Sequence, residues 1–205
     1  MKTTGIILAG GKSTRLGRNK ALEPVLGKRL VQYVYDCLKP LADQVFIVTS
    51  KDMAALPYPE GAAVLTDIYP DKGPLSGIYT GLASAKHEYN IVVGCDMPFL
   101  NEKLLRHMVG ECRGFDAVVP RPSPSTMEPL HAVYSRSCLD RMKSQLEKER
   151  LKTLAFFEQI NVKYISMQEC RTFDPELMSF ININNQADLD KSIALARHAA
   201  KEEVC

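Results

Sequence analysis

Short runs of β-branched and aliphatic residues recur along the chain, separated by stretches in which apolar residues return every three or four positions. The runs TGIILA (4–9), VFIVTS (45–50), AAVLT (62–66), NIVVGC (90–95), DAVVP (116–120), HAVY (131–134), VKYIS (162–166) and FININ (180–184) predict strands. Several are almost continuously apolar, as in strands covered on both faces. Residues 29–39 place Leu30, Val34 and Leu38 on one helical face, with Val31 and Tyr35 beside it. Residues 101–112 predict a helix N-capped by Asn101 and carrying Leu104, Leu105, Met108 and Val109. Further helices are predicted over 135–149, around Leu139, Met142 and Leu146, and over 186–202. Gly73-Pro74 marks a turn and a helix start, with Pro74 in the first turn. Gly77 and Gly81, four residues apart, share one face of that helix and allow close approach of a backbone or ligand.

Alternating strand and helix argue for an α/β fold with a mostly parallel sheet and helices on both faces. The close spacing of the runs between 116 and 134 adds some antiparallel pairing near the end. The stretch 121–128, RPSPSTME, reads as a mobile loop between two strands.

At 205 residues the chain suits one domain, 1–205, able to bury about 70% of the surface its unfolded form exposes. A net charge of +2 carries no nucleic-acid footprint and no polybasic membrane patch, yet leaves room for small anions. The N-terminal MKTTGIILAGGKS has only IILA before glycines and charges, shorter than the apolar centre of a signal peptide. With no run of about 20 apolar residues either, a cytoplasmic location is expected. The six scattered cysteines lack metal-binding spacing and are expected to be reduced and mostly buried.

The first predicted strand runs straight into Leu8-Ala9-Gly10-Gly11-Lys12-Ser13-Thr14-Arg15-Leu16-Gly17-Arg18-Asn19-Lys20. Paired glycines let the backbone turn sharply, and successive N–H groups then form an anion-binding concavity. Arg15 adds a guanidinium able to clamp phosphate oxygens, and Lys20 a point charge. A Walker loop would need glycine at residue 6, which is Ile6. A dinucleotide fingerprint would need glycine at 12, which is Lys12. Neither pattern fits, so the loop alone supports an anion site and no more.

Asp96 follows NIVVGC, and Pro98 then stops the strand, placing a carboxylate where ligands bind in open α/β sheets. Such an oxygen suits Mg²⁺ bridging to substrate phosphates, although an Asx-turn after a strand uses the same residue. Asp67 ends AAVLT and is either a turn residue before Tyr69-Pro70 or a carboxylate acceptor for a ligand.

L-A-G-G-x-S-x-R-L-G-x-x-K resembles the signature of nucleotidyltransferases with a GT-A-like, three-layer Rossmann fold. The chain looks most like the molybdenum cofactor guanylyltransferase family, because further family motifs follow in order over nearly its whole length. They are Thr66-Asp67, Gly73-Pro74-Leu75-Ser76-Gly77, Gly94-Cys95-Asp96-Met97-Pro98-Phe99, Glu128-Pro129-Leu130-His131-Ala132-Val133-Tyr134 and Phe180-Ile181-Asn182-Ile183-Asn184. Asn19 departs from the aspartate that many members carry before the lysine.

The resemblance implies transfer of GMP from GTP to molybdenum-bearing molybdopterin, releasing pyrophosphate. By it, Leu8, Ala9, Gly10, Gly11, Lys20, Asp67 and Asp96 bind the nucleotide, and Arg15, Lys20 and Asp96 serve catalysis. Asp96 also holds Mg²⁺, residues 1–100 form the nucleotide half, and 101–205 form the acceptor half. His131, Asn182 and Asn184 fall to the acceptor, the two asparagines facing one side of a strand; Asn184 or Asn185 could equally cap the final helix. Glu128 and Arg121 are either acceptor contacts or ordinary surface charges. Transient contacts with other molybdenum cofactor proteins or acceptor apoenzymes would follow. The competing readings are a sibling transferase using CTP or a sugar or polyol phosphate, and a non-catalytic carrier of nucleotide or molybdopterin.

Overall fold

The structure, a computed structural model, describes residues 1–10, 20–22, 24–25, 27–183, 187–188 and 190. Seven strands form one mixed sheet: β1 (Thr3–Leu8), β4 (Gln44–Thr49), β5 (Ala63–Thr66), β6 (Tyr89–Gly94), β7 (Ala117–Pro120), β8 (His131–Ser135) and β9 (Val162–Ile165). Two short strands, β2 (Pro24–Val25) and β3 (Lys28–Arg29), form a separate antiparallel ribbon. The large sheet has the order β5-β4-β1-β6-β8-β7-β9. β8 runs antiparallel to both β6 and β7, while the other paired strands are parallel.

All six residues of β1 are buried, as in a central strand covered on both faces. Strand alternation sends Ile7 to one face and Ile6 and Leu8 to the other. Ile7 meets α1 (Leu30–Leu38) and α3 (Glu102–Gly110) through Val31, Val34, Leu38, Leu104, Leu105 and Met108. Ile6 and Leu8 meet α2 (Pro74–Ser84) and α4 (Leu139–Glu147) through Leu75, Ile78, Leu82, Met142 and Leu146. The result is the expected three-layer α/β sandwich. Each fully buried aliphatic side chain contributes roughly 1.5–3 kcal/mol, so two such faces dominate the stability.

Asn101 caps α3 as predicted, its Oδ1 accepting from the Leu104 N–H at 3.0 Å. Gly73, at φ 73°, makes the turn that no β-carbon-bearing residue makes cheaply, and Pro74 opens α2. Helix–sheet packing accounts for both later glycines of α2. A β-carbon on Gly77 would stand 3.2 Å from Leu8 Cδ2, and one on Gly81 only 2.5 Å from Ile6 Cγ2.

Three elements differ from expectation or add to it. The short helix α5 (Thr153–Phe156) and α6 (Met167–Phe173) lie outside the predicted helices. α6 starts at a capping box, with Ser166 Oγ accepting from Glu169 N–H and the Glu169 carboxylate accepting from Ser166 N–H. The FININ strand is absent over its described residues: Met178–Phe180 form a 3-10 turn, and Ile181–Ile183 join no sheet. The reason is local. Asp174 accepts the N–H groups of Met178 and Ser179 and nucleates a turn, while Ile183 gives its N–H to the Asp96 carbonyl. β-propensity yields to a side-chain cap. The predicted helix over 186–202 lies almost wholly outside the described residues; Ala187, Asp188 and Asp190 are helical.

The 121–128 stretch turns at Ser123–Thr126, where the Thr126 N–H donates to the Ser123 carbonyl at 3.3 Å. Burial pushes the thiols of Cys37, Cys112 and Cys170 up to about 11 and that of Cys138 to about 12, so they stay protonated at neutral pH. No helix among the described residues is long and apolar enough to cross a membrane.

Candidate active site

The parallel strands β1, β4, β5 and β6 all end at one edge of the sheet, and antiparallel β8 begins there. That polarity gathers Leu8–Gly10, Asp67, Asp96 and His131, which are far apart in sequence, along a single rim. Leu8 and Ala9 are buried and carry the sheet pattern past the end of β1: Ala9 N–H donates to the Val48 carbonyl at 2.9 Å, and Cys95 N–H to the Leu8 carbonyl at 3.1 Å. Gly10 is exposed, and a β-carbon there would stand 3.8 Å from Thr49 Cα, an ordinary contact. Gly11 and Arg15 lie outside the described residues. The backbone resumes at the 3-10 turn Lys20–Leu22, with Ala21 buried in the same apolar cluster as Ala9.

Asp67 follows β5 and is tied down by α2. Its Oδ2 accepts from Ser76 Oγ at 2.7 Å, and its Oδ1 from Thr80 Oγ1 at 3.0 Å and Tyr69 N–H at 3.1 Å. Ser76 and Thr80 are four residues apart on one buried helix face. The turn role foreseen for Asp67 is therefore real, and it orients the carboxylate on the rim. The hydroxyl spacing Ser76–Thr80 was the signal for this clamp.

Asp96 stands two residues beyond β6, partly exposed. Its carboxylate folds back over Gly94, where a β-carbon would lie 2.5 Å from Asp96 Oδ1. Glu128 lies close enough to feel that charge: its carboxyl is raised above the usual range, first by burial and then by the Asp96 charge. The Glu128 backbone is held at both ends: its N–H donates to the Pro120 carbonyl at 3.2 Å and its carbonyl accepts from His131 N–H at 3.1 Å. Gly94 N–H donates to the Leu130 carbonyl at 2.9 Å, fastening this loop to the end of β6. Arg121, exposed beside the same loop, lies over the Tyr164 ring at 3.9 Å from its centroid.

His131 is fully buried, 4.9 Å from the Phe180 ring centroid, and neither ring nitrogen has a hydrogen-bond partner. The Ser179 main chain comes near, favouring the charged form slightly, without completing a bond. Asn182 is exposed next to Ile183, whose N–H donates to the Asp96 carbonyl at 2.9 Å. The shared strand expected for Asn182 and Asn184 is not formed at Asn182, and Asn184 lies outside the described residues.

Burial lowers the His131 pKa to about 4, against about 6.5 for an unfolded histidine. The resulting stability is complete above pH 6.5 and is lost as pH falls from there toward 4, because the unfolded chain takes up a proton that the folded one refuses. The loss should reach about 3 kcal/mol. Urea unfolding at pH 7 and pH 4 is expected to show a His131→Leu variant losing less stability than the parent by about that amount. Equal losses would refute the buried neutral imidazole.

A mixed sheet that brings an exposed glycine after one strand and an aspartate after its neighbour to one rim fits the plan of a nucleotidyltransferase. The MobA-like NTP transferase domain matches residues 5–161 of the chain. A molybdenum cofactor guanylyltransferase of Desulfosudis oleivorans is 39% identical over 193 residues, covering 93% of this chain and 94% of the relative. A probable molybdenum cofactor guanylyltransferase of Pelotomaculum thermopropionicum is 34% identical over 199 residues, covering 97% and 96%. Among solved structures, molybdopterin-guanine dinucleotide biosynthesis protein A of Archaeoglobus fulgidus superposes with a TM-score of 0.81 at 28% identity, over 96% of this chain and 100% of that one. The chain belongs to the MobA-like NTP transferase family.

Proposed function

We propose that this protein transfers GMP from GTP to the terminal phosphate of molybdenum-bearing molybdopterin, forming the guanine dinucleotide cofactor and pyrophosphate. The observation that carries the reading is the convergence of Leu8–Gly10, Asp67, Asp96 and the Glu128 loop on one rim, at the ends of β1, β5 and β6. Full-length similarity to named guanylyltransferases supports GTP and molybdopterin as the substrates.

The donor set suits Mg²⁺. Two carboxylates near enough for one charge to raise the other's pKa are electrostatically unfavourable without a cation and offer hard oxygen ligands. No group of three or more His, Cys, Asp or Glu side chains able to hold a metal occurs among the described residues. Such a site would leave most of the coordination shell to phosphate oxygens and water, as Mg²⁺ prefers. Asp96 would hold the ion and Glu128 would flank it. When bound, the ion supplies charge neutralisation at the α-phosphate and alignment of entering and leaving oxygens.

The backbone beyond Gly10 would cradle the triphosphate. The protein itself leaves room for a β-carbon at Gly10, so close ligand approach gives the better reason for glycine there. Arg15 and Lys20 would balance phosphate charge, and Asp67, already oriented by Ser76 and Thr80, would accept from the ribose or the base. Asn182 would meet the acceptor from the far side of Asp96. In the transfer, an acceptor phosphate oxygen bonds to the α-phosphorus, the bond to the bridging oxygen of the β-phosphate breaks, and pyrophosphate leaves with those electrons. The attacking oxygen is already anionic, so no protein nucleophile or general base is needed. Positioning and charge stabilisation are the protein's contribution.

The direct test supplies GTP, CTP or ATP with molybdopterin or a sugar phosphate and measures pyrophosphate. Release with GTP and molybdopterin alone is expected. Preference for CTP or a sugar phosphate would replace the reading with a sibling transferase, and tight GTP binding without turnover would replace it with a carrier. Within this scheme, Glu128→Gln should raise the Mg²⁺ concentration for half-maximal turnover about tenfold, equivalent to about 1.4 kcal/mol. An unchanged Mg²⁺ requirement would remove Glu128 from the metal site.

A further inference from the structure

The loop that carries Asp96 runs from Cys95 to Asn101, between β6 and α3, and the chain 174–183 touches it at both ends. At one end Ile183 N–H donates to the Asp96 carbonyl at 2.9 Å. At the other, Asn101 N–H donates to Ser179 Oγ at 2.8 Å, and Asn101 Nδ2 donates to the Phe173 carbonyl at 2.8 Å. Between these points Phe99 packs with Ile183, Leu30 and Tyr33. The strap itself is shaped by Asp174, a carboxylate only 5% exposed. Its Oδ1 accepts from Met178 N–H at 3.0 Å and its Oδ2 from Ser179 N–H at 2.8 Å.

A buried carboxylate is costly unless its acceptors are filled, and here two main-chain donors fill them while forming the turn that presents Ser179. Asn101 needs only its Oδ1 to cap α3, yet its N–H goes to the strap and its Nδ2 to the end of α6, where the strap begins. The cap therefore couples the end of the Asp96 loop to the strap as well as starting a helix. A metal-binding carboxylate must be held within about 0.5 Å of its working position, and ties at both ends of a seven-residue loop achieve this.

We propose that Asp174, Ser179 and Asn101 form a latch that positions Asp96 for the metal, acting through the loop and touching neither metal nor nucleotide. The proposal rests on the reading of Asp96 as the metal-binding aspartate. Asn182 sits on the same strap, one residue before its tie to Asp96, so the latch would also set the acceptor side of the rim.

The test uses the full chain with GTP and no acceptor, titrated with Mn²⁺ and followed by electron paramagnetic resonance, after subtraction of binding by GTP alone. Ser179→Ala and Asp174→Asn should each weaken Mn²⁺ binding about five- to tenfold, the effect of about one lost hydrogen bond. Metal-free GTP affinity, measured by equilibrium dialysis, should stay unchanged, and Ser179→Thr, which keeps the hydroxyl, should bind Mn²⁺ like the parent. Wild-type Mn²⁺ affinity in both latch variants would overturn the latch, provided Asp96→Ala abolishes binding. If Asp96→Ala itself binds Mn²⁺ normally, the underlying metal reading fails instead. Parallel loss of GTP and Mn²⁺ affinity in Asp174→Asn, with no recovery in Ser179→Thr, would mark general unfolding and also overturn the latch.

Discussion

Replacing Asp96 by alanine should lower turnover by about a hundred- to a thousandfold while leaving the thermal transition within a few degrees of the parent, since loss of a preorganised electrostatic stabiliser costs this order. The separation of effects comes from where Asp96 is held. Its main-chain carbonyl makes the tie to Ile183, and that tie survives removal of the carboxylate. Its side chain folds back over Gly94, and alanine offers no oxygen in its place. Glu128 would remain, freed from the neighbouring charge that raises its pKa. A single half-buried carboxylate is a poor substitute for a pair on a hard divalent ion. The measurement is pyrophosphate release at saturating GTP and molybdopterin across a wide Mg²⁺ range, with circular dichroism melting as the control. Turnover near the parent value in a folded variant would sink the metal assignment.

Gly81→Val should have the largest effect on stability, about 3 kcal/mol or more, because overpacking of a filled core costs about this order. For a chain of this length that corresponds to a melting point lower by roughly 6–12 °C. A β-carbon on Gly81 would fall 2.5 Å from Ile6 Cγ2, 2.8 Å from Cδ1 and 3.1 Å from Cγ1. Ile6 cannot retreat: it is fully buried in β1, which is hydrogen-bonded to β4 on one side and β6 on the other. Its β-branched side chain also has few alternative rotamers. Gly110 is the contrast, since nothing lies within 4 Å of its missing β-carbon at the end of α3. Gly110→Ala should therefore raise stability by about 0.4–1 kcal/mol through reduced freedom of the unfolded chain. Urea titrations of both variants would check the two signs. A stable Gly81→Val protein would show that α2 can lift away from β1.

The elements that the sequence made legible share a physical character. β1 and β6 are nearly unbroken apolar runs, and α1 and α3 carry apolar stripes of helical period, so burial alone determines their structure. Asn101 and Gly73-Pro74 announce caps by local chemistry. FININ misled because its alternation is that of a strand, while its fate is set by Asp174, six residues before Phe180. α5 is four residues long, too short to show a period. The Ser166–Glu169 capping box of α6 follows β9 with no intervening turn residue, so the strand pattern runs straight into the cap. At the site, Asp96 and Asp67 were readable because strand ends are marked by pattern, and the family motif order reinforced them. Glu128 was ambiguous for a different reason. Its meaning depends on a carboxylate 32 positions away that only the β6–β8 pairing brings near.

The reversal of β8 has a consequence for how such a protein diversifies. The chain leaves β1, β5 and β6 at the functional rim but arrives at β8 there, so the segment 121–130 is an approach ramp and the others are departures. Its far end is secured by the register of His131 against Val93, and its near end by Arg121 N–H on the Ile165 carbonyl. Under the proposed function, insertions between those two moorings should reshape the acceptor side while the rim positions supplied by departing chain, Leu8–Gly10, Asp67 and Asp96, stay in place. Over evolutionary time the fold can then exchange one phosphate-bearing partner for another by editing ten residues, without relearning how to hold a triphosphate.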